Sequence, residues 1–236
     1  MTETDRQTER LENILFLIVV TFLAMAMRFF LFPIESGDYL QFLHPWYETL
    51  KENGGLLAIG MDIGDYMPPY FYILALLTYL PISDLFAIKM VSSAVDIVLA
   101  IFAANLAADG ERGSRRWMAA YCVVLFLPSV FLNSAVWGQC DAIYVSALLA
   151  FLYYVRRGRS NAAVLAFSIS FVFKLQAVFF APLLLLFLLK RWVRWKSLWI
   201  FPVVYLAACL PAAVMGRSLW ELLTVYFSQA GQYNLL

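Results

Sequence analysis

Charge is scarce in this chain. Only 14% of its 236 residues are Asp, Glu, Lys or Arg, against 63% that are hydrophobic. A soluble globular domain carries roughly 25% charged and about 45–50% apolar residues, so an ordinary water-soluble domain is excluded. Histidine occurs once, at His44, and cysteine three times. Cys122, Cys140 and Cys209 stand in apolar sequence without metal-ligand spacing and read as small buried hydrophobes. The net charge of +1 gives no sign of nucleic acid, which is not expected as a partner. The chain also lacks an internal repeat, a low-complexity tract and a polar stretch long enough for a soluble domain.

What it has are apolar runs of membrane-crossing length, about 20 residues for a hydrocarbon core of ~30 Å. The first, 11–33, follows a polar start holding Arg6 and Arg10. It is too long for a signal-peptide core and has no small-residue cleavage site after it, so it should remain a helix. Four basic clusters punctuate the chain: Arg6/Arg10, Arg112/Arg115/Arg116, Arg156/Arg157/Arg159 and Lys190/Arg191/Arg194/Lys196. They hold twelve of the seventeen basic residues, which places all four on the cytoplasmic side. Helices are then expected over 85–108, 117–134, 140–155, 161–175, 177–190 and 197–215, with an external segment at 216–236. Three apolar segments lie between the first two clusters, but only an even number of crossings keeps both clusters inside. The shortest, 68–82, is bounded by prolines and is expected to be re-entrant. The fold expected is an all-α integral membrane bundle with about seven spanning helices, its N-terminus cytoplasmic.

The first external loop, 34–84, opens with the most polar stretch of the chain. Residues 34–67 contain six of the sixteen acids (Glu35, Asp38, Glu48, Glu52, Asp62, Asp65), the single histidine and one basic residue, Lys51. Leu40, Leu43, Tyr47 and Leu50 recur at helical spacing, which predicts an amphipathic interfacial helix with Trp46 at headgroup level. Asn53-Gly54-Gly55 should end it. Asp38 precedes this helix and has two readings: an N-cap, with Gln41 completing a capping-box-like pair, or a carboxylate held at the membrane surface. His44 alone fits a structural role more readily than a ligand's. Asp62 and Asp65 flank a glycine and predict a solvated turn.

Arg28, Lys89, Asp96, Asp141 and Lys174 lie in or beside apolar segments, where each costs on the order of 2.5–3.5 kcal/mol and needs a partner or a wet cavity. Lys89 and Asp96 share a helix face, pairing with each other or with other helices, and Asp96 reads equally as structural or functional. Asp141 ends the expected outer turn 133–141, and Lys174 lies within the next, 171–176. A carboxylate and a lysine beside a lipid-exposed cavity suit an anionic lipid head group: the ammonium meets the phosphate and the carboxylate acts as a base. The alternative is a lysine that snorkels and merely pairs with Asp141.

These pieces together resemble the GT-C superfamily of polyprenyl-phosphate-sugar-dependent glycosyltransferases. The likeness is greatest to the bacterial mannosyltransferases related to the GPI-anchor second mannosyltransferase. It is carried by Ser36-Gly37-Asp38-Tyr39, Phe42-Leu43-His44-Pro45-Trp46-Tyr47, Tyr66-Met67-Pro68-Pro69-Tyr70, the stretch from Asn133 through Trp137-Gly138-Gln139-Cys140-Asp141, and Lys174-Leu175-Gln176-Ala177 leading to Pro182, in family order. The resemblance implies a seven-helix module with its active site under the first external loop. It implies inverting transfer of a hexose, mannose or glucose, from a dolichol- or undecaprenyl-phosphate donor to a glycan, glycolipid or protein acceptor. Asp38 would then be the general base, with Glu35 as rival, and Lys174 would hold the donor phosphate. Asp141, Gln139, Gln176, Trp137, Tyr70 and His44 would line the pocket. No cofactor is certain, though some relatives use a divalent metal. Such enzymes usually continue with several more helices, so 1–236 is expected to be the shared module alone or a chain whose remainder is missing. A lipid-linked-sugar flippase and a non-catalytic lipid- or partner-binding module are the alternatives; no duplicated halves of the transporter kind are visible.

Overall fold

The computed structural model describes residues 3–64 and 66–232, and among these it is all helix and turn, with no strand. Asp65 and residues 233–236 lie outside the described residues, as does the side chain of Arg6. The elements are α1 (Glu3–Leu31), α2 (His44–Glu52), α3 (Pro68–Leu77), α4 (Asp84–Ala107), α5 (Arg115–Leu125), α6 (Pro128–Leu132), α7 (Asp141–Arg156), α8 (Ser160–Phe173), α9 (Ala181–Leu189), α10 (Ile200–Val214) and α11 (Leu219–Gln232). Among the described residues, three helical stretches are long and apolar enough to cross a membrane: Gln7–Leu31, Asp84–Ala107 and Trp195–Val214. A fourth is reached if α5 and the stretch Pro128–Trp137, bent by 45°, count as one.

That bend departs from the single helix expected over 117–134. Pro128 has no N–H and pushes Leu127 out of the helical region, to φ −70°, ψ 123°. The first helix also begins earlier than expected, because its polar start winds into α1. Most of α1 faces outward, with Phe22, Phe30 and Leu11 exposed, as befits a lipid-facing helix. By contrast α4 is half buried and packs against α5 and α7, and α8 packs against α7 and α10.

The segment after the first loop is short. α3 has ten residues, about 15 Å of helix, which is half of a hydrocarbon core. Tyr70, Phe71, Leu74, Ala75 and Leu77 bury it against α2 and the start of α4. Its Tyr72 reaches α10, where the hydroxyl donates to Ala208 O at 2.9 Å and accepts from Ala212 N at 3.0 Å. These two backbone groups would bond each other in an unbroken helix, so Tyr72 is wedged into the ladder beside Pro211.

The amphipathic helix of the first loop forms, on a shifted face. Tyr39, Leu43, Tyr47 and Leu50 are buried, whereas Leu40 is exposed. The chain enters through a π-helical turn, Tyr39–Leu43, which rotates Leu40 away from the core. Trp46 packs on Phe71 and Tyr66 (ring centroids 5.3 Å apart in each case). Gly54 and Gly55 turn the chain in the left-handed region, and a Cβ on Gly55 would strike the Thr78 hydroxyl at 2.7 Å. Beyond them, Gly60 passes so near the end of α10 that a Cβ would lie 2.1 Å from Met215 O. Asp62 is not a merely solvated turn residue, because it accepts from the buried guanidinium of Arg217 at 2.6 Å. The C-terminal segment likewise carries a helix, α11, whose Leu222, Val225 and Tyr226 bury against Met67, Cys209 and Ala212. Cys140 and Cys209 are buried, Cys122 is partly so, and all three are free.

Candidate active site

The site begins at the entry to the loop helix. Ser36, two residues before Asp38, is the cap: its hydroxyl accepts from Tyr39 N at 3.1 Å. Gly37 and Asp38 are already helical, and the Asp38 carboxylate makes no cap hydrogen bond. The capping-box pair of Asp38 with Gln41 is therefore absent. Asp38 instead accepts from Gln139 Nε2 at 2.5 Å, across 101 residues of sequence. Serine caps helices as well as aspartate does, so the signal for Ser36 was present but masked by the acid behind it.

A second π-helical turn, Asn133–Trp137, ends at Gly138 in the left-handed conformation, φ 71°. Ser36 Oγ donates to Trp137 O at 3.0 Å and Ser92 Oγ to Gly138 O at 3.3 Å, tying this turn to the loop and to α4. Ser134 of the same turn donates to Asp96 at 2.6 Å, and Asp96 is paired with Arg28 at 2.9 Å. Arg28 and Asp96 are both fully enclosed, and Arg28 also donates to Ala24 O and Leu125 O. Lys89 does not pair with Asp96; its ammonium donates to Phe32 O and Ile34 O, capping the exit of α1. These buried charges brace the turn from behind.

From Gly138 the chain passes Gln139 and Cys140 into α7, whose first residue is Asp141. Asp141 is ion-paired with Lys174 and accepts from Asn133 Nδ2 at 3.0 Å. Lys174 sits at an extended break, φ −154°, ψ 130°, between α8 and the 3-10 turn Leu175–Phe180, and its ammonium lies 5.8 Å from the Tyr144 ring centroid. Gln139 and Asp141 are separated by Cys140 alone, which holds their Cα atoms within about 7 Å. One short segment thus carries a contact to Asp38 on one side and to Lys174 on the other.

The remaining pocket residues are placed unequally. Trp137 is 47% exposed, and Gln176 is exposed as well. Tyr70 is buried in one cluster with Cys140, and its hydroxyl has no partner among the described residues. His44 Nδ1 lies 2.7 Å from Asp84 Oδ2, to which the Tyr39 hydroxyl also donates at 2.7 Å. Burial and the Asp84 carboxylate push the Tyr39 phenol well above its usual range, so it remains a donor at neutral pH. His44 is therefore a link between the loop and α4; nothing in the sequence marked Asp84, 40 residues away, as its partner. Among the described residues no three His, Cys, Asp or Glu side chains converge to hold a metal ion.

A helical bundle with membrane-length apolar helices and a cluster of acid, amide and lysine side chains at one end defines a membrane-embedded protein. The chain matches glycosyltransferase family 87 over residues 66–232, and it belongs to that family of GT-C-type glycosyltransferases. The match takes in Tyr70, Trp137, Gln139, Asp141, Lys174 and Gln176, while Asp38 and His44 precede it. Comparison with curated proteins and with solved structures gives no match.

Proposed function

We propose that the protein transfers a hexose, mannose or glucose, from a polyprenyl-phosphate donor to an acceptor hydroxyl, with inversion, at the external face of a bacterial plasma membrane. The observation that supports this most is the bracketing of 139–141 by Asp38 and Lys174. A glycosyl phosphate already has a good leaving group, so the reaction needs one base and one cation at the departing phosphate. Asp38 takes the proton of the acceptor hydroxyl as its oxygen attacks the anomeric carbon from the face opposite the phosphate. The bond from that carbon to the phosphate oxygen breaks, and its electron pair leaves with the phosphate, whose charge Lys174 meets. Gln139 orients Asp38, and Asp141 holds Lys174 until the donor arrives. Trp137 and Gln176, both exposed at this end, face the sugar or acceptor; Tyr70 and His44 support the loop from behind.

The topology that goes with this reading has seven spans, a cytoplasmic N-terminus and α3 as the re-entrant element. It is supported by α7, which carries Asp141 in its first turn and Arg156 in its last, about 22 Å apart along the axis. The basic turns then share one membrane face and the site lies at the other.

Transfer of labelled hexose from a polyprenyl-phosphate donor, in membranes holding the protein, tests the assignment. Asp38→Asn should lower transfer about 10²- to 10⁴-fold, the usual contribution of a general base, while donor binding persists. Unchanged transfer would remove Asp38 from the base role. Lys174→Ala should weaken donor binding more than it slows the bound-state step, and equal donor affinity would refute the phosphate assignment.

A further inference from the structure

At the end of the bundle opposite Asp141 there is a cleft of about 960 Å³ between α7, α8 and the turn after α9. Its walls are of two kinds. Leu106, Leu152, Val155 and Phe187 make an apolar side, and Arg156, Arg191 and Arg194 make a cationic one, with no acid among the described residues of the lining. Arg156 already serves the fold, donating to Leu106 O and pairing with Asp109. Arg191 and Arg194 form no ion pair among the described residues, yet their backbones are fixed. Arg194 N donates to Ser160 Oγ at 3.2 Å. Arg191 is held at φ 59°, in the left-handed position after a helix that glycine normally fills, while Trp192 N bonds back to Phe187 O at 2.9 Å. A left-handed arginine is strained, and strain kept where glycine would relieve it points to use of the side chain. Trp192 stacks on Phe187 with centroids 5.4 Å apart and is largely exposed, as are Trp195 and Trp199 just beyond. Exposed tryptophans of this kind mark the headgroup level of a membrane.

We propose that this cleft is a binding site for an anionic phospholipid of the adjacent leaflet, separate from the site around Asp38. Arg191 and Arg194 take the headgroup phosphate, and an acyl chain lies along Leu152, Val155 and Phe187. The apolar wall favours a lipid over a free phosphate ion, and the uncompensated cations favour an anionic headgroup over a zwitterionic one. This inference does not rest on the proposed reaction, and its test needs no turnover.

Purified full-length protein in detergent is titrated with dioleoyl phosphatidylglycerol, dioleoyl phosphatidylcholine or inorganic phosphate, and bound lipid is counted by native mass spectrometry alongside thermal unfolding. Phosphatidylglycerol should bind and raise the unfolding temperature; the other two should do neither. Arg191→Gly, which relieves the backbone strain, and Arg194→Gln should each weaken phosphatidylglycerol binding about five-fold, since each basic side chain at an anionic surface contributes about that factor. Neither should lower the unfolding temperature without lipid. Equal binding of both lipids overturns the anionic assignment, and stabilisation by phosphate alone overturns the lipid one. Undiminished phosphatidylglycerol binding in a variant carrying both Arg191→Gly and Arg194→Gln overturns the location.

Discussion

Five basic residues stand outside the four arginine-rich clusters, and each is engaged by a particular partner. Arg28 holds Asp96, Lys51 lies 3.6 Å from Glu48, Lys89 caps α1, Lys174 holds Asp141 and Arg217 holds Asp62. The Arg28–Asp96 pair is enclosed, so removing one partner strands a charge. Arg28→Met should cost about 3–5 kcal/mol, and the double change Arg28→Met/Asp96→Leu should recover much of it; thermal unfolding of the three proteins checks both. Ser36 and Asp38 separate in the same way. Ser36→Ala loses a cap worth about 1 kcal/mol and the tether to Trp137, so it should lower the unfolding temperature and transfer together. Asp38→Asn should leave the unfolding temperature unchanged while transfer collapses. A matching loss of stability in Asp38→Asn would return the capping role to it. From the sequence the cap falls to Asp38, and Ser36, an equally good cap residue two places earlier, is passed over. The Ser36 bond to Trp137 O was not legible there either, because 101 residues separate the two.

Among the elements, three departures from regular helix lie at the site. The π turn Tyr39–Leu43 follows Asp38, the π turn Asn133–Trp137 leads to Gln139, and the break falls at Lys174. Periodicity predicted a helix through Leu43, Tyr47 and Leu50 but misassigned Leu40, since one extra residue in a turn shifts every side chain before it. The α10 irregularity is of another kind, a tyrosine hydroxyl standing in for a helix bond. Tyr72→Phe should leave Ala208 O and Ala212 N without that partner and cost about 1–3 kcal/mol, with faster hydrogen exchange at Ala212 than at amides elsewhere in α10. Exchange rising equally in α8 would mean global loosening instead.

At the level of the molecule, the loop that carries Asp38 is pinned from three directions. Asp84 holds His44 and Tyr39, Gln139 holds Asp38 itself, and Arg217 holds Asp62. Because Arg217 is buried and Asp62 largely exposed, the last of these is a latch between the loop and the segment leading into α11. Asp62→Asn should loosen it, raising protease cleavage within Gly60–Gly64 and lowering transfer modestly without unfolding the bundle. Unaltered cleavage there would show that α11 packing alone holds the loop.

The sequence by itself determined the membrane class, the helical fold and which end of each helix is basic, because hydropathy and charge are properties of short stretches and survive any arrangement of them. It also singled out Arg28, Lys89, Asp96, Asp141 and Lys174, since ionisable groups in or beside apolar runs are costly and conspicuous, while Asp38 stood out through the family resemblance. Tertiary structure alone decided which of these meet. It bonded Asp38 to Gln139, paired Lys174 with Asp141, turned Arg28, Asp96 and Lys89 into bracing, and left Arg191 and Arg194 without an ion pair among the described residues. Pairing depends on where π turns, proline breaks and glycine contacts rotate each helix, and those rotations are set by packing partners far away in the chain.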